Sequence, residues 1–423
     1  PELRKRILFT IIMLGIYRIG VFVPTPGINV DALKSIFSQG TVFEIFNLFS
    51  GGALQQFSVF ALGIMPYISA SIILQLLTVS IPALEKLSKE GDAGRRKITQ
   101  YTRYGTVVLS LIQGFGISFG LEQQQVLLPG VGGLSYYITT MLTLAAGTAF
   151  IMWLGEQISE RGIGNGISLV IFAGIVTRIP EGMRDAWSTK EQFGDFFGFI
   201  LLLGFIFLIV STIIFFERSQ RRIPIHYAKR IVGRKMYGGQ STHLPLKLNM
   251  AGVIPPIFAS SIILFPATLA QFWNNDFTQQ LAAFLTSGWF HDFLYIGLIV
   301  FFCYFYTAVT FNPSDIAENL KKNGGYVPGI RPGKSTSDFI DRILSRTTLG
   351  GAVYIAGVCI LPQLLTRQFG IPVSVAQTFG GTSLLIVVGV AMDTLSQMES
   401  HLLSRSYEGF LGGRTGKFKG RKA

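Results

Sequence analysis

Two short segments carry the same pattern and decide how the chain folds. The first reads Gly63-Ile-Met-Pro66-Tyr-Ile68-Ser-Ala70-Ser71, and the second reads Gly252-Val-Ile-Pro255-Pro-Ile257-Phe-Ala259-Ser260. Gly, Pro, Ile, Ala and Ser recur at one constant spacing, which is 189 residues from Gly63 to Gly252. Chance similarity between two apolar segments is the alternative. An internal repeat is favoured because each segment lies in the second membrane span of one half of the chain.

Long apolar stretches surround both segments. A helix of about 20 apolar residues crosses the roughly 30 Å hydrocarbon core of a bilayer. The uncharged stretch 45–84 would measure about 60 Å as one helix, so it must fold as two pieces separated at Gly51-Gly52. The chain then has ten predicted spans: Ile7–Val23, Ser58–Ile81, Tyr104–Leu121, Tyr136–Gly155, Gly162–Val176, Phe196–Phe216, Met250–Phe272, Phe293–Phe311, Thr347–Leu365 and Val375–Met392.

The composition is typical of a membrane protein. Of the 423 residues, 49% are apolar and 14% are charged, whereas soluble proteins carry about 25% charged residues. These values exclude a disordered chain, a coiled coil and an ordinary soluble enzyme. The net charge of +13 has two explanations, which are nucleic-acid binding and the basic cytoplasmic loops of a membrane protein.

The positions of the basic residues favour the second explanation. Most of the 36 Lys and Arg residues lie in alternate loops, and the positive-inside rule places those loops and both termini in the cytoplasm. The first span, Ile7–Val23, is not expected to be a removable signal peptide, because neither a small-residue cleavage site nor a soluble domain follows it. Because each half has an odd number of spans, the halves insert in opposite orientations. The sequence therefore predicts an all-α multi-pass membrane protein with two inverted five-helix halves, 1–185 and 186–423.

No pattern in the sequence indicates catalysis, a metal site or a cofactor site. The four histidines lie in loops or at span ends, without a second histidine at metal-binding spacing. The span centres carry almost no charge, whereas ion-coupled transporters place Asp, Glu or His deep in their spans. A passive pathway without enzyme activity is therefore preferred. A secondary solute transporter with inverted repeats is the alternative.

Two long loops, 217–248 and 312–346, carry much of the positive charge, and the C-terminal tail is also basic. Loops of this length in a compact bundle are more often functional than not. We therefore expect them to dock a large acidic partner, such as ribosomal RNA, or a soluble motor. Simple positive-inside charge that binds anionic lipids is the alternative.

Five motifs spread over nearly the whole chain resemble the SecY family, the channel subunits of the bacterial general protein-translocation complex. Together they form a highly specific set. They are Gly51-Gly-Ala-Leu54 with Ala61-Leu-Gly-Ile-Met-Pro-Tyr-Ile-Ser-Ala-Ser-Ile-Ile-Leu-Gln75; Glu90-Gly-Asp-Ala-Gly-Arg-Arg-Lys-Ile-Thr-Gln-Tyr-Thr-Arg103; Glu160-Arg-Gly-Ile-Gly-Asn-Gly-Ile-Ser168; Asn249-Met-Ala-Gly-Val-Ile-Pro255; and Val327-Pro-Gly-Ile-Arg-Pro-Gly333.

The resemblance implies a clamshell of ten helices around an hourglass pore, in the bacterial plasma membrane. A short re-entrant plug helix, about 43–57, would close the outer funnel. Its residues would include Phe49, Gly51, Gly52, Ala53, Leu54 and Phe57. A ring of aliphatic side chains would form the constriction, with Ile64, Ile68, Ile171, Ile175, Ile257 and Ile386 as its members.

Physical chemistry agrees with a ring of this kind. Ile64 and Ile68 are four residues apart and share a helix face, as do Ile171 and Ile175. A ring of β-branched apolar side chains disfavours water and so blocks ions. Ordinary helix packing of the same isoleucines is the alternative.

The resemblance further implies passage of unfolded polypeptides and release of signal or transmembrane helices to lipid through a lateral gate. The gate would include Ser69, Ser71, Gln75, Asn249 and Phe265. Implied partners are the SecE and SecG subunits, the SecA ATPase, the ribosome, signal peptides and secretory polypeptides. Docking residues in the basic loops would be Arg221, Arg222, Lys229, Arg230, Arg234, Lys235 and Arg331.

Overall fold

A computed structural model provides the fold of most of the chain. It describes residues 2–30, 32–33, 47, 50–123, 126–188, 195–227, 230–232, 235–237, 241–272, 280, 284–285, 288–369, 371 and 373–412.

The described residues are mainly helical. The helices are α1 (Glu2–Val21), α2 (Met65–Ser80), α3 (Pro82–Lys89), α4 (Asp92–Gln123), α5 (Leu134–Arg161), α6 (Gly166–Val176), α7 (Ile179–Ser188), α8 (Asp195–Arg218), α9 (Ile254–Phe272), α10 (Gly288–Thr310), α11 (Pro313–Lys322), α12 (Lys334–Phe369), α13 (Val373–Thr378) and α14 (Gly381–Gly412).

Every predicted span overlaps one of these helices, and the multi-pass helical membrane fold is confirmed. Among the described residues, seven helical stretches are long and apolar enough to cross a membrane. The pair α2 and α3 makes an eighth if it is counted as one span, although it bends by 100°. Helix α1 is not among them, since it includes Arg4, Lys5, Arg6 and Arg18. The total of ten spans stays a prediction.

The bend after α2 has a local cause. Ile81 has φ −105° and ψ 115°, which is extended backbone, because the proline that follows disfavours the helical conformation at this position. Pro82 then starts α3, where its missing N–H costs nothing. The predicted end of the second span at Ile81 therefore agrees with the structure.

The predicted start of the second span at Ser58 is wrong. Residues 58–64 form a bridge and turns, and α2 begins at Met65. Gly63 has a φ of +56°, a left-handed conformation that a right-handed helix cannot include. Pro66 lies in the first turn, where proline is well tolerated.

The predicted plug helix is also corrected where the structure describes it. Residues 50–57 fold as consecutive turns rather than a helix, with left-handed φ angles of +66° at Gly51, +88° at Gly52 and +42° at Phe57. Asn47 is helical, whereas the other residues from 43 to 49, including Phe49, lie outside the described residues. Two adjacent glycines therefore end any helix that precedes them.

The basic loops contain β structure that the sequence did not predict. Strands β1 (Gln220–Tyr227), β2 (Arg230–Val232), β3 (Lys235–Tyr237) and β4 (Ser241–Lys247) lie in the first loop, and β5 (Gly325–Tyr326) lies in the second. The order β4-β1-β5 gives one antiparallel sheet that joins both loops, and β2 pairs with β3. The three-stranded sheet contributes to a buried cluster, which consists of Ile223, Leu246, Val327 and Ile340.

The described structure divides into two compact units. Residues 1–181 and 386–423 form the first, and residues 182–385 form the second. The small sheet belongs to the second unit. Both copies of the repeat lie well inside a unit, the first copy in the first unit and the second copy in the second.

Candidate functional site

The turn segment, residues 50–57, is buried although it has no regular secondary structure. Ala53 is 0% exposed, Phe57 is 1% exposed and Leu54 is 3% exposed. Asn47 organises the turns, because its side-chain carbonyl accepts from the Gln55 amide at 3.1 Å and its backbone carbonyl accepts from the Gly52 amide at 3.0 Å. The amides of Gly52 and Gln55, which have no helical hydrogen bonds, are thereby paired with Asn47.

Helix α1 holds the start of the turn segment through two side chains. The Tyr17 hydroxyl donates to the carbonyl oxygen of Ser50 at 3.0 Å, and the Arg18 guanidinium donates to the carbonyl oxygen of Gly51 at 2.8 Å. The guanidinium also lies 4.8 Å from the centre of the Phe22 ring. A hydrogen bond from a charged donor stabilises a fold by about 1.5–3 kcal/mol, so the Arg18 contact is the stronger of the two.

The end of the turn segment is held by backbone hydrogen bonds and by the buried Phe57 side chain, which belongs to an apolar cluster that includes Leu144. The Thr25 amide donates to the Phe57 carbonyl at 2.8 Å, and the Val59 amide donates to the Val23 carbonyl at 2.9 Å. These bonds flank an antiparallel bridge between Pro24 and Ser58. The residues after α1 and the turn segment therefore form one hydrogen-bonded unit.

Helix α6 approaches the turn segment closely at one point. A Cβ placed on Gly51 would lie 2.7 Å from Cα of Gly174 and 3.0 Å from the Tyr17 hydroxyl oxygen. A Cβ placed on Gly174 would lie 3.0 Å from Cα of Gly51. The two backbones meet because neither residue has a side chain. Gly174 is next to Ile175, so the turn segment lies beside the helix that carries two of the predicted ring residues.

A polar cavity of about 220 Å³ lies beside the turn segment. Its lining includes Arg18, Gln55, Gln56, Arg178 and Glu181. Charged and amide side chains of this kind keep such a space hydrated. The start of the turn segment thus lies between the buried face of α1 and a polar cavity.

All six predicted ring isoleucines are buried. The exposed fractions are 1% for Ile64, 6% for Ile68, 2% for Ile171, 1% for Ile175, 6% for Ile257 and 1% for Ile386. Five of them belong to the first unit, and Ile257 belongs to the second. Burial agrees both with a closed ring and with ordinary packing, so the ring assignment stays a prediction.

The predicted gate residues fall on the two repeat helices and the turn before the second. Ser69, Ser71 and Gln75 lie on α2 and are partly buried. Asn249 is 5% exposed and precedes α9. Phe265 lies in α9, and its side chain lies outside the described residues. The two groups belong to different units, so a gate between them stays a prediction.

The predicted docking residues are only partly described. Arg221 and Arg222 are exposed on β1, and Arg331 is exposed in the second loop. Arg230 and Lys235 lie in β2 and β3, and their side chains lie outside the described residues, as do Lys229 and Arg234 altogether. The carbonyl of Arg331 accepts from the Thr336 hydroxyl at 2.8 Å, which holds the loop tip while its guanidinium stays exposed.

Sequence reasoning missed the specific partners of several charged groups. Arg103 donates to both carboxylate oxygens of Glu156, at 2.8 and 2.9 Å. Arg367 pairs with the buried carboxylate of Asp292 at 2.6 Å. These partners are 53 and 75 residues apart, so only the tertiary structure brings them together. Asp292 is 7% exposed, and its burial makes pairing necessary, since an unpaired charge in such a site is costly.

The long apolar helices found in both units define the class of this protein as a multi-pass helical membrane protein. Comparisons with known proteins identify the class further. A family model described as SecY matches residues 58–395. The chain belongs to the SecY family.

Three relatives named Protein translocase subunit SecY illustrate the similarity. The Pseudomonas aeruginosa protein is 51% identical over 419 residues, which cover 97% of this chain and 93% of the relative. The Escherichia coli K12 protein is 50% identical over 425 residues, covering 97% and 94%. The Thermus thermophilus protein is 48% identical over 433 residues, covering 100% and 97%. The resemblance inferred from the sequence motifs is thereby confirmed.

Solved structures show the same fold. The chain in "The structure of a protein conducting channel" matches with a TM-score of 0.68 and 18% identity, over 99% of this chain and 95% of that one. The chain in "Sec61 in the Canine ribosome-channel complex from the endoplasmic reticulum" matches with a TM-score of 0.64 and 16% identity, over 99% and 95%. At these identities the likeness concerns the fold.

Proposed function

We propose that this chain is the protein-conducting channel of a bacterial Sec translocase. Membership of the SecY family over residues 58–395 is the observation that carries the proposal. Unfolded polypeptides would pass through the ring of aliphatic side chains, and the turn segment would act as the plug that closes the resting channel. Signal and transmembrane helices would leave to lipid through a gate between the second and third spans on one side and the seventh and eighth spans on the other. The protein is not proposed to catalyse a reaction.

The physical basis of such a channel is an uncharged constriction. Aliphatic side chains offer a passing polypeptide neither charge nor hydrogen bonds, so sequences of any kind can slide through. The same side chains exclude water from a narrow opening, which prevents ion flow when no polypeptide is present. The buried isoleucines of α2, α6 and α9 suit both requirements.

The partners and the membrane orientation are part of the proposal. SecE and SecG would accompany the chain in the plasma membrane, and both termini would be cytoplasmic. The sheet that joins the two basic loops would receive SecA or the ribosome, and its exposed arginines could contact ribosomal RNA or anionic lipids. Support comes from the structural similarity to canine Sec61, which is described in a ribosome–channel complex.

Site-specific crosslinking of a stalled secretory polypeptide tests the channel. A photoreactive amino acid at position 64, 68 or 257 should react with the stalled chain, since these positions would line the constriction. The matched controls are position 73 on α2 and position 262 on α9, where the native isoleucines are 46% and 37% exposed and face away from the buried side. Equal labelling at test and control positions would refute the pathway.

Ion leak tests the ring more directly. Replacing Ile68 or Ile257 with Asn should raise the resting conductance of the reconstituted channel in planar bilayers, because a polar side chain favours water in the constriction. Unchanged conductance in both variants would remove the ring assignment while leaving the family membership intact.

A further inference from the structure

The two side chains that hold the start of the turn segment both bind to its backbone. Tyr17 and Arg18 donate to the carbonyl oxygens of Ser50 and Gly51 at 3.0 and 2.8 Å. Because the acceptors are backbone atoms, replacing side chains within the turn segment does not remove them. The strength of this contact therefore resides in the donors on α1.

Close packing and hydrogen bonding coincide at Gly51. Its backbone lies against Gly174 of α6, so that a Cβ on either glycine would approach the other's Cα to 2.7 or 3.0 Å. Gly52 has a similar left-handed conformation, yet a Cβ there would meet nothing within 4 Å. The tight contact is thus confined to Gly51, the same residue that Arg18 binds.

The two ends of the turn segment are held by different means. Phe57 and Val59, at its far end, are tied to the residues after α1 by backbone bonds, and the Phe57 side chain is buried in an apolar cluster. Ser50 and Gly51, at its near end, depend on Tyr17, Arg18 and the absence of a side chain at Gly174. The near end can therefore separate from α1 and α6, while the far end stays attached and acts as a hinge.

A polar environment is available to Arg18 when the near end separates. The cavity of about 220 Å³ is lined by Arg18 itself and by Gln55, Gln56 and Glu181. After the hydrogen bond to the Gly51 carbonyl is broken, these side chains and water in the cavity can accept hydrogen bonds from the Arg18 guanidinium. Release then avoids leaving a buried unpaired charge, which would otherwise make it prohibitively costly.

We propose that Tyr17, Arg18 and Gly174 form a latch that keeps the turn segment in its closed position, and that opening of the channel begins with release of Ser50 and Gly51 from this latch. The proposal rests on the proposed function as a channel. It assigns to three residues outside the turn segment the task of positioning it. In the proposed movement, the near end of the turn segment pivots about the backbone hydrogen bond between Thr25 and Phe57.

The test uses the complete translocase complex reconstituted into planar bilayers and proteoliposomes, with two readouts, resting ion conductance and secretory-protein transport. Arg18→Gln removes the charged donor, and Tyr17→Phe removes only the hydroxyl while keeping the ring that stacks on Phe60. Arg18→Lys restores a charged donor. Arg178→Gln is the matched control, because it changes an arginine of the same cavity that lies two residues beyond α6 and does not hold the turn segment.

Arg18→Gln should raise the open fraction of the resting channel about tenfold, as loss of a charge-assisted hydrogen bond predicts. Tyr17→Phe should raise it about threefold, since it removes a neutral hydrogen bond. Arg18→Lys should recover most of the closure, and Arg178→Gln should conduct as the wild type does. All four variants should still transport protein.

Two results would overturn the latch. One is a resting conductance equal to wild type in both Arg18→Gln and Tyr17→Phe, in complexes that transport normally. The other is an equal rise of resting conductance in Arg178→Gln, because the charge of the cavity, rather than the bond to Gly51, would then explain the effect. Because Tyr17→Phe keeps the packing of the ring, it remains informative if Arg18→Gln fails to assemble. A wild-type complex that transports no polypeptide would instead overturn the proposed function, and the latch with it.

Discussion

The two copies of the internal repeat begin their helices in the same way, whereas the chain that precedes each copy differs. Gly63 and Gly252 have φ angles of +56° and +64°, and each helix begins two residues later, at Met65 and Ile254. Ile68 and Ile257 are each 6% exposed. The repeat therefore specifies a turn followed by a helix start, with a buried isoleucine at the same place.

The residue three positions before the glycine marks the difference. In the first copy it is Phe60, which stacks on Tyr17 and Phe150 with ring centres 5.9 Å apart in both pairs. In the second copy it is Asn249, whose amide donates to Glu217 at 2.7 Å and to the Gly252 carbonyl at 3.1 Å. The first copy is thus joined to a buried apolar segment, and the second to a charged, solvent-facing sheet.

This difference shows how one repeated element can follow two kinds of structure. An aromatic anchor packs Phe60, and with it the buried segment before the first copy, against α1 and α5. A polar anchor links Asn249, just after β4, to Glu217 in the last turn of α8. The repeat supplies the helices, and the residue in front of each helix differs in the partner that holds it.

The largest effect is expected when the aromatic anchor is removed. Phe60→Ala should destabilise the protein by about 3 kcal/mol, because the ring is 5% exposed and its loss leaves a cavity between α1 and α5. The measurement is the midpoint of thermal unfolding in detergent. Phe115→Ala is the control, since that ring is 47% exposed. Equal shifts for the two variants would break the comparison.

The next effect concerns the close approach in the turn segment. Gly51→Ala should cost about 2 kcal/mol, because the added methyl overlaps Gly174 as well as disfavouring the left-handed backbone. Gly52→Ala should cost about 1 kcal/mol, because only the backbone conformation is penalised. Thermal unfolding of the pair separates the two causes. A Gly52→Ala variant that is the less stable of the two would contradict the close contact.

The polar anchor of the second copy should contribute less than the aromatic anchor of the first. Asn249→Ala should destabilise by about 1.5 kcal/mol, since a carboxylate and a carbonyl lose a donor. Glu217→Gln should have about half that effect, because a neutral acceptor remains. If Asn249→Ala destabilised the protein more than Phe60→Ala does, the proposed division between the copies would be wrong.

The smallest effect on stability is expected in the basic loops. Arg331→Glu should change the free energy of unfolding by less than about 0.5 kcal/mol, because the side chain is exposed. The same variant should impair SecA-dependent transport in proteoliposomes if the sheet docks that partner. Transport at the wild-type rate would remove the docking role from Arg331, and the matched exposed variant Arg222→Glu would show whether the sheet acts as a whole.

Much of the fold was predictable from the sequence because local patterns carry it. Apolar stretches near 20 residues located the helices, since lipid leaves backbone groups no partner outside the helix itself. The dipeptide Gly51-Gly52 predicted a break, and the predicted end of the second span at Ile81 lies one residue beyond the end of α2. The spacing of the repeat predicted that Gly63 and Gly252 are equivalent, and the structure gives them the same conformation.

The errors have physical reasons as well. The segment ahead of Met65 is apolar enough to be helical, but Gly63 and Pro66 allow the helix to begin only after it, and bonds to α1 stabilise the turns instead. The strands of the basic loops pair residues far apart, such as His226 with Tyr326. Single-residue propensities are weak in strands, so only the pairing reveals them.

The sequence by itself therefore determined the class of protein, the helices and the family, because hydrophobic length and short motifs are properties of neighbouring residues. The tertiary structure alone decided which groups meet. It placed Arg18 on the carbonyl of Gly51, Gly174 against the same residue and Arg367 on Asp292. Such contacts join residues distant in the chain, and no periodicity records them. They depend on burial, which requires each polar group to find a partner wherever the packing brings one within reach.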